Sequence, residues 1–322
     1  MNRREFSVAA LAALAASPLP FSRAAHAQGI GTLKMMVKAN PGGGWDQTGR
    51  TLGAAMQSAK VVQSVQFENK GGAAGTIGLT QFVNSAKGDP NAMIVGGMVM
   101  VGGIILQKSP VDLTLVTPLA RLTSEYEVVV VPASSPYKTL AELLAAFKAD
   151  PGKISWHGGS AGGTDHILAG LIARAVGVDP TKVNYVAAKG GGDQIANIVG
   201  GHVSAGIAGV GEFAEHVKAG RMRALAVSAP AKLDGIPSLK EQGVDVVLGN
   251  WRGVFGAPGI TAAQRDALSG AVKTATESAA WKDALARLGW ESVFLAGDPF
   301  KAFVAEDTKR VAGILDSLGL KK

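Results

Sequence analysis

The chain has 322 residues, no cysteine and a formal charge of +7 at pH 7. That length exceeds one ordinary core and fits two domains. The missing cysteines exclude disulfides and thiolate metal sites. With 43 glycines and 47% hydrophobic residues, but no Lys/Arg cluster interleaved with aromatics, the composition reads as a soluble α/β protein and argues against a nucleic-acid binder.

The first 27 residues read as a cleaved signal peptide. Arg3 and Arg4 give a positive start, residues 6–16 are apolar, and Ala25-His26-Ala27 is an A-x-A cleavage site that leaves Gln28 at the new N-terminus. The apolar run is shorter than the roughly 20 residues a membrane span needs. Arg3-Arg4-Glu5-Phe6 also resembles a twin-arginine signal. Cleavage removes three arginines and one glutamate and leaves a charge of about +5.

Residues 33–37 form an apolar run expected as a buried strand, and 47–59 a helix. Between them lies Asn40-Pro41-Gly42-Gly43-Gly44-Trp45-Asp46. Glycines at a strand-to-helix turn let several N–H groups converge where the helix dipole adds positive charge, which makes a backbone site for an anion. Asp46 is the expected N-cap and Trp45 an apolar wall. Residues 65–68 read as a strand, Gly71-Gly72-Ala73-Ala74-Gly75 as a second glycine turn, 76–86 as a helix, and 92–106 as a buried strand and turn. This is a βαβαβ unit of a parallel sheet. The β-branched segment 125–131 crosses into a second α/β region. Helices are expected at 137–149, 166–175 and 194–199, and strands at 154–157, 183–186, 203–207 and 224–228. Residues 244–248 and 252–257 read as a return to the first region, followed by helices at 262–278, 280–288 and 299–318 with Thr261 and Asp298 as N-caps.

Gly158-Gly159-Ser160-Ala161-Gly162 matches the G-x-S-x-G nucleophile elbow between a strand and a helix. A hydrolase would need an acid and then a histidine downstream, yet the last histidine is His216. The competing reading has Ser160 and Thr164 offering hydroxyls, and Gly162 and Gly163 offering N–H groups, to a carboxylate at the helix start. His157 and His166 flank the loop without a carboxylate pair, which makes them poor metal ligands, and a packing role suits His166. Neither a dinucleotide nor a P-loop fingerprint occurs at these turns. Lys189, beside Gly190-Gly191-Gly192-Asp193, faces either an anion or solvent.

Taken together, Pro41-Gly42-Gly43-Gly44-Trp45-Asp46, Gly71-Gly72-Ala73-Ala74-Gly75, Thr117-Pro118-Leu119-Ala120-Arg121, the loop from Gly158 to His166, Tyr185 with the second triple glycine, Ala224-Leu225-Ala226-Val227-Ser228, Ile236-Pro237-Ser238-Leu239 and Asn250-Trp251-Arg252-Gly253 resemble the periplasmic solute receptors of tripartite tricarboxylate transporters, the Bug receptor family. The resemblance runs over essentially the whole chain after the signal segment.

It implies a two-lobed periplasmic binding protein of the type II, Venus-flytrap kind, each lobe a mainly parallel sheet flanked by helices. Lobe 1 would hold residues 28–123 and 246–322, and lobe 2 residues 124–245, closing about crossings near 122–126 and 246–251. It implies a receptor and not an enzyme, without cofactor or metal, monomeric by default, passing its ligand to membrane transporter subunits. The ligand would be a tricarboxylate or dicarboxylate, citrate among them, held by Gly42, Gly43, Gly44, Trp45, Asp46, Gly72, Ala73, Ala74, Ser160, Ala161, Gly162, Gly163, Thr164, Asp165, His166, Gly191, Gly192, Asp193 and Gly209. The two triple glycines resemble the tricarboxylate-binding branch. Ala208-Gly209-Val210 lacks the acid that reads an amino group in some relatives, which argues against a cationic or amino-acid ligand. A secreted hydrolase using Ser160, a sensing receptor, and an aromatic acid walled by Trp45 and Trp251 are the alternatives.

Overall fold

The computed structural model describes residues 30–321, so the signal segment lies outside the described residues. The first sheet begins with β1 (Ile30–Val37), β2 (Val62–Asn69) and β3 (Ala92–Gly97). These are parallel, in the order β2-β1-β3, with Leu33 opposite Val65 and Met35 opposite Met93. Helix α1 (Gly44–Ser58) and α2 (Thr76–Ser85) connect them. All six residues of β3 are buried, as expected for a strand covered on both faces.

The apolar stretch 92–106, expected as strand and turn, is a strand followed by helix α3 (Met98–Leu106). Its helical half has no polar face, and Gly102 and Gly103 weaken the helical signal. It is apolar because it is enclosed. A β-carbon at Gly102 would overlap the Gly162 carbonyl, and one at Gly103 would overlap Ala74.

β4 (Thr117–Pro132) is a single strand of 16 residues. Its first half pairs antiparallel with β9 (Gly249–Gly256), with Ser124 opposite Trp251 and Tyr126 opposite Gly249. From Glu127 onward it pairs with β7 (Ala205–Gly209) and β8 (Met222–Val227). One strand therefore belongs to both sheets, and Val128, Val129, Val130 and Val131 are buried to 1% or less. β5 (Ser155–Gly158) and β6 (Asn184–Ala187) complete the second sheet, parallel to each other and, through β5, to β7. Helices α4 (Leu140–Ala149), α5 (Thr164–Ala175), α6 (Gly191–Val199) and α7 (Val210–Lys218) flank it. The fold is the expected α/β, two-lobed one. The parallel order holds for the outer strands of each sheet, whereas the strands at the crossing are antiparallel.

The chain returns through β9. Residues 244–248, expected as part of the return, are buried in part but carry no strand pairing. Then follow α8 (Ala262–Glu277), α9 (Ala279–Leu288) and α10 (Gly297–Ser317). Thr261 caps α8 in a capping box with Gln264, as its position predicts. Asp46 and Asp298 are not N-caps. Gly43 and Ala296 take those positions and the acids sit in the first turn. Strand β10 (Glu291–Ala296) pairs antiparallel with β4. Sequence patterning misses it because it is short and only half covered.

Candidate functional site

The parallel strands of both sheets point their C-terminal ends at one cleft. Ligands of open α/β sheets bind outside the carboxyl ends of the strands. The loops after β1, β2, β5 and β6 line this cleft, which holds about 130 Å³. The loops touch across it. A β-carbon at Gly191 would lie 3.3 Å from the Gly42 carbonyl, and Asn40 Nδ2 donates to the Lys189 carbonyl at 3.1 Å. The N-termini of α1 and α6 thereby meet, each with a glycine as its N-cap and so no capping side chain of its own. A larger cavity of about 700 Å³ lies beside α3 and α10, lined by apolar residues such as Val101, Ile104 and Leu113 together with charged ones such as Asp298, Lys301 and Lys309. It lacks the buried charges and glycine turns of the cleft.

The turn after β2 is strained. Ala73 and Ala74 have φ of +48° and +51°, a left-handed conformation that costs an alanine about 1–2 kcal/mol. It is held between Gly72 and Gly75, both also at positive φ.

The cleft is charged. Lys38, at the end of β1, is 1% exposed. Its Nζ lies 2.6 Å from Met100 Sδ and 5.2 Å from the centre of the Trp45 ring. Among the described residues no carboxylate pairs with it, and burial holds its ammonium well below the usual lysine range. Glu125 and Glu127 alternate onto one face of β4. Arg252, from β9, pairs with Glu125 and lies 3.6 Å from Glu212 of α7. Glu212 Oε2 accepts from the Gly44 amide at 3.2 Å, which ties α7 to the start of α1. A β-carbon at Gly44 would overlap the Arg252 guanidinium, and one at Gly209 would lie 2.7 Å from the Glu125 carboxylate. These two glycines therefore make room for the ion pair.

Glu127 is wholly buried, and neither of its carboxylate oxygens has a partner among the described residues. Burial, then repulsion from Asp165, Glu125 and Glu212, pushes its carboxyl well up. Burial raises Asp165 to about 7 against the Gly159 amide, which donates to Oδ2 at 2.5 Å. Glu212 is also raised to about 7, by burial and then by Glu125.

Of the residues expected at the site, Gly43, Gly44, Trp45, Gly72, Ser160, Asp165 and Gly191 line the cleft. Ala73, Ala74 and Ala161 line an adjoining cavity of about 570 Å³ that shares Ser160 and Gly72 with it. The others stand behind this surface. Asp46 accepts from Gly42 N (3.1 Å), Arg50 and Asn69 (both 2.9 Å), so its carboxylate pins the first loop. Burial opposes ionisation there, but these bonds hold its carboxyl below the usual range. Thr164 is fully buried below the loop, and Gly163 caps α5. His166 Nδ1 accepts from Gly162 N at 3.1 Å, and its ring stacks on Tyr185 at 4.2 Å. Burial lowers it to about 4, so it is a neutral packing group. Asp193 accepts from Lys189 N at 3.0 Å and closes the turn that carries Gly192. Gly209 faces Glu125. Trp251 donates to Asp307 at 2.7 Å in the core beneath β9, so Trp45 alone of the two walls the cleft.

Sequence reasoning missed Lys38, Glu125, Glu127 and Glu212, and left Arg252 open. Two signals were present. Lys38 immediately follows an apolar strand, and Glu125 and Glu127 lie two apart in a strand otherwise rich in valine. Ala208-Gly209-Val210 carries no acid, but Glu127 of β4 and Glu212 of α7 line the cleft beside it.

The profile of a family described as "Tripartite tricarboxylate transporter family receptor" matches residues 50–320. A Cupriavidus necator protein of the gbd 5′ region is 28% identical, covering 100% of this chain and 99% of that protein. BugT of Bordetella pertussis is 26% identical over 90% of each chain. Among solved structures, the periplasmic binding protein BugD superposes with a TM-score of 0.82 at 20% identity, covering 91% of this chain and 99% of its own. MatC from Rhodopseudomonas palustris, with bound malate, gives 0.76 at 22% over 89% and 99%. Rpa4515 of R. palustris, with adipate, gives 0.78 at 20% over 90% and 97%.

Proposed function

The chain belongs to the tripartite tricarboxylate transporter receptor family, and from that premise we propose that it captures a small carboxylate in the cleft between its lobes and delivers it to the membrane subunits of a tripartite transporter. Members of the family are receptors, and this protein is not an enzyme. Among the described residues no histidine hydrogen-bonds Ser160; His166 Nδ1 accepts from Gly162, and His157 Nδ1 faces the Val186 carbonyl.

The observation that carries the proposal is Lys38, a buried amine with no carboxylate beside it among the described residues, set among glycine turns whose helix N-termini face the same space. A ligand carboxylate supplies the missing charge. Malate in one structural relative and adipate in another are carboxylates and agree with this reading. In this chain the carboxylate would lie between Lys38 and the N-termini of α1 and α6, with Gly43, Gly44, Gly191, Gly72 and Ser160 around it and Trp45 as its apolar wall. Gly42, Asp46, Ala73, Ala74, Ala161, Gly162, Gly163, Thr164, Asp165, His166, Gly192, Asp193 and Gly209 shape the loops that hold it.

Lobe 1 is residues 28–123 with 246–322, and lobe 2 is 124–245. The joint is the pairing of Ser124, Glu125 and Tyr126 with Trp251, Asn250 and Gly249. Each lobe brings part of the site, so ligand favours the closed form through contacts that only closure makes. The receptor works in the periplasm, reached through the N-terminal signal, and the transporter reads its closed form.

A thermal-shift screen of the mature, ligand-stripped protein against mono-, di- and tricarboxylates tests this. A true ligand at 100 times its Kd stabilises by about 2.7 kcal/mol. A clear shift for one acid supports the receptor reading. No shift with any acid, confirmed by calorimetry, overturns it.

A further inference from the structure

Resting on that reading, we propose that Glu127 binds the ligand as an un-ionised carboxylic acid, its O–H donating to an oxygen of the ligand's carboxylate. Glu127 opens the lobe 2 half of β4 and lines the cleft. It is 0% exposed, and neither carboxyl oxygen has a partner among the described residues. Its backbone is tied on both sides. The amide donates to Ser228 Oγ at 2.9 Å, and the carbonyl accepts from the Ser228 amide at 2.8 Å. A fixed strand thus presents to the cleft a carboxyl that nothing in the protein bonds.

The charged form has no support there. A buried carboxylate without donors is so costly that the group takes up a proton instead. The surrounding groups act the same way. Burial, then Asp165 of α5, Glu125 of the same strand and Glu212 of α7, disfavour its negative charge. Arg252 of β9 favours it, but the guanidinium is paired with Glu125 and shared with Glu212. Tyr185 of β6 is held neutral by burial and then by Asp165 and Glu127. β7 sets Gly209 opposite Glu127, and Arg223 of β8 lies opposite Val131. Lys38 and Lys189 line the same cleft, yet among the described residues neither bonds these oxygens. A neutral carboxyl has an O–H to give, and an anionic oxygen is its strongest acceptor. Glu127 therefore adds a side-chain donor to the amides of the glycine turns. Loss of its proton would remove the donor and set like charge against the ligand.

Infrared difference spectroscopy reads that proton directly. The mature, ligand-stripped protein is mixed with isotopically labelled succinate, malate, adipate or citrate at about pH 8, where Asp165 and Glu212, raised to about 7, are mostly ionised. The carbonyl band of an un-ionised carboxyl moves to lower frequency on binding, shifts in heavy water, and is missing from Glu127→Gln and Glu127→Leu. Calorimetry gives the second readout. Glu127→Gln keeps a neutral donor and binds the same acid within a few-fold of the wild type. Glu127→Leu keeps the bulk without the donor and weakens binding about 10- to 100-fold, as for a bond to a charged group. Should the glutamine variant fail to fold, the leucine variant carries both readouts. If the band is absent from the wild type or persists in the variants, or if both variants bind the acid more tightly, Glu127 is ionised and the proposal is overturned while the carboxylate receptor stands. If none of the four acids binds, the receptor reading fails with it.

Discussion

Replacing Lys38 with methionine should move stability and binding in opposite directions. Lys38 is 1% exposed, with Met100 Sδ as its nearest recorded partner and the Trp45 ring 5.2 Å away. Methionine retains most of the stem that packs beside Gly78 and removes the buried amine, which no carboxylate offsets among the described residues. Replacing buried charge with a well-packed apolar side chain typically stabilises by about 1–4 kcal/mol. At about 2–4 °C per kcal/mol for a chain of this order of size, Tm of the empty protein should rise by roughly 2–15 °C. The same change removes a charged partner of the ligand carboxylate, worth about 1.5–3 kcal/mol, so affinity should fall about 10- to 100-fold. Thermal unfolding of the empty variant, followed by calorimetric titration with the acid that shifts the wild type most, reads both. A lower Tm with unchanged affinity would refute the reasoning, because it would make Lys38 a structural group.

Gly44→Ala places a methyl group inside the Arg252 guanidinium. It should cost about 1–3 kcal/mol in denaturant unfolding, and an effect below 0.5 kcal/mol would contradict this packing. Ala74→Gly relieves a left-handed alanine at φ +51° and should leave stability equal or raise it by up to about 1 kcal/mol, as read by Tm. The pH dependence follows from Asp165 and Glu212, both raised to about 7. A carboxyl raised in the folded state stabilises fully below its ordinary value near 4 and loses that contribution as pH rises through about 7. Lys38, held down, gives the opposite slope, and lowered His166 does so only below about 6.5. In Lys38→Met, Tm should therefore fall between about pH 6.5 and 8. A flat or rising profile would contradict the raised carboxyls.

The glycine turns and the alternation of strands with helices made the two-lobed α/β fold legible, because backbone geometry at those turns requires glycine and buried parallel strands require apolar runs. The glycine turns marked the loops that line the cleft, and the family resemblance set those loops at one cleft between lobes. What stayed hidden depends on distant pairing. Glu125 and Arg252 are 127 residues apart and meet only because β4 and β9 are neighbours. Glu212 reaches Gly44 over a separation of 168 residues. Asp46 and His166 lie in the right loops, but local hydrogen bonds turn them into supports, which residue type does not reveal. Helix α3 and strand β10 escaped for opposite reasons, one with no polar face to mark a helical period and the other short and half open.

Hydrogen exchange of the protein with and without the acid that raises Tm most tests directly whether the cleft is where ligand binds. Amides of the turns that bond to ligand, or are buried by closure, gain protection, and they do so on both lobes. The account predicts new protection in residues 38–46 and 70–76 of lobe 1 together with 158–166 and 188–194 of lobe 2. Protection confined to one lobe, or centred on the cavity beside α3 and α10, would contradict it.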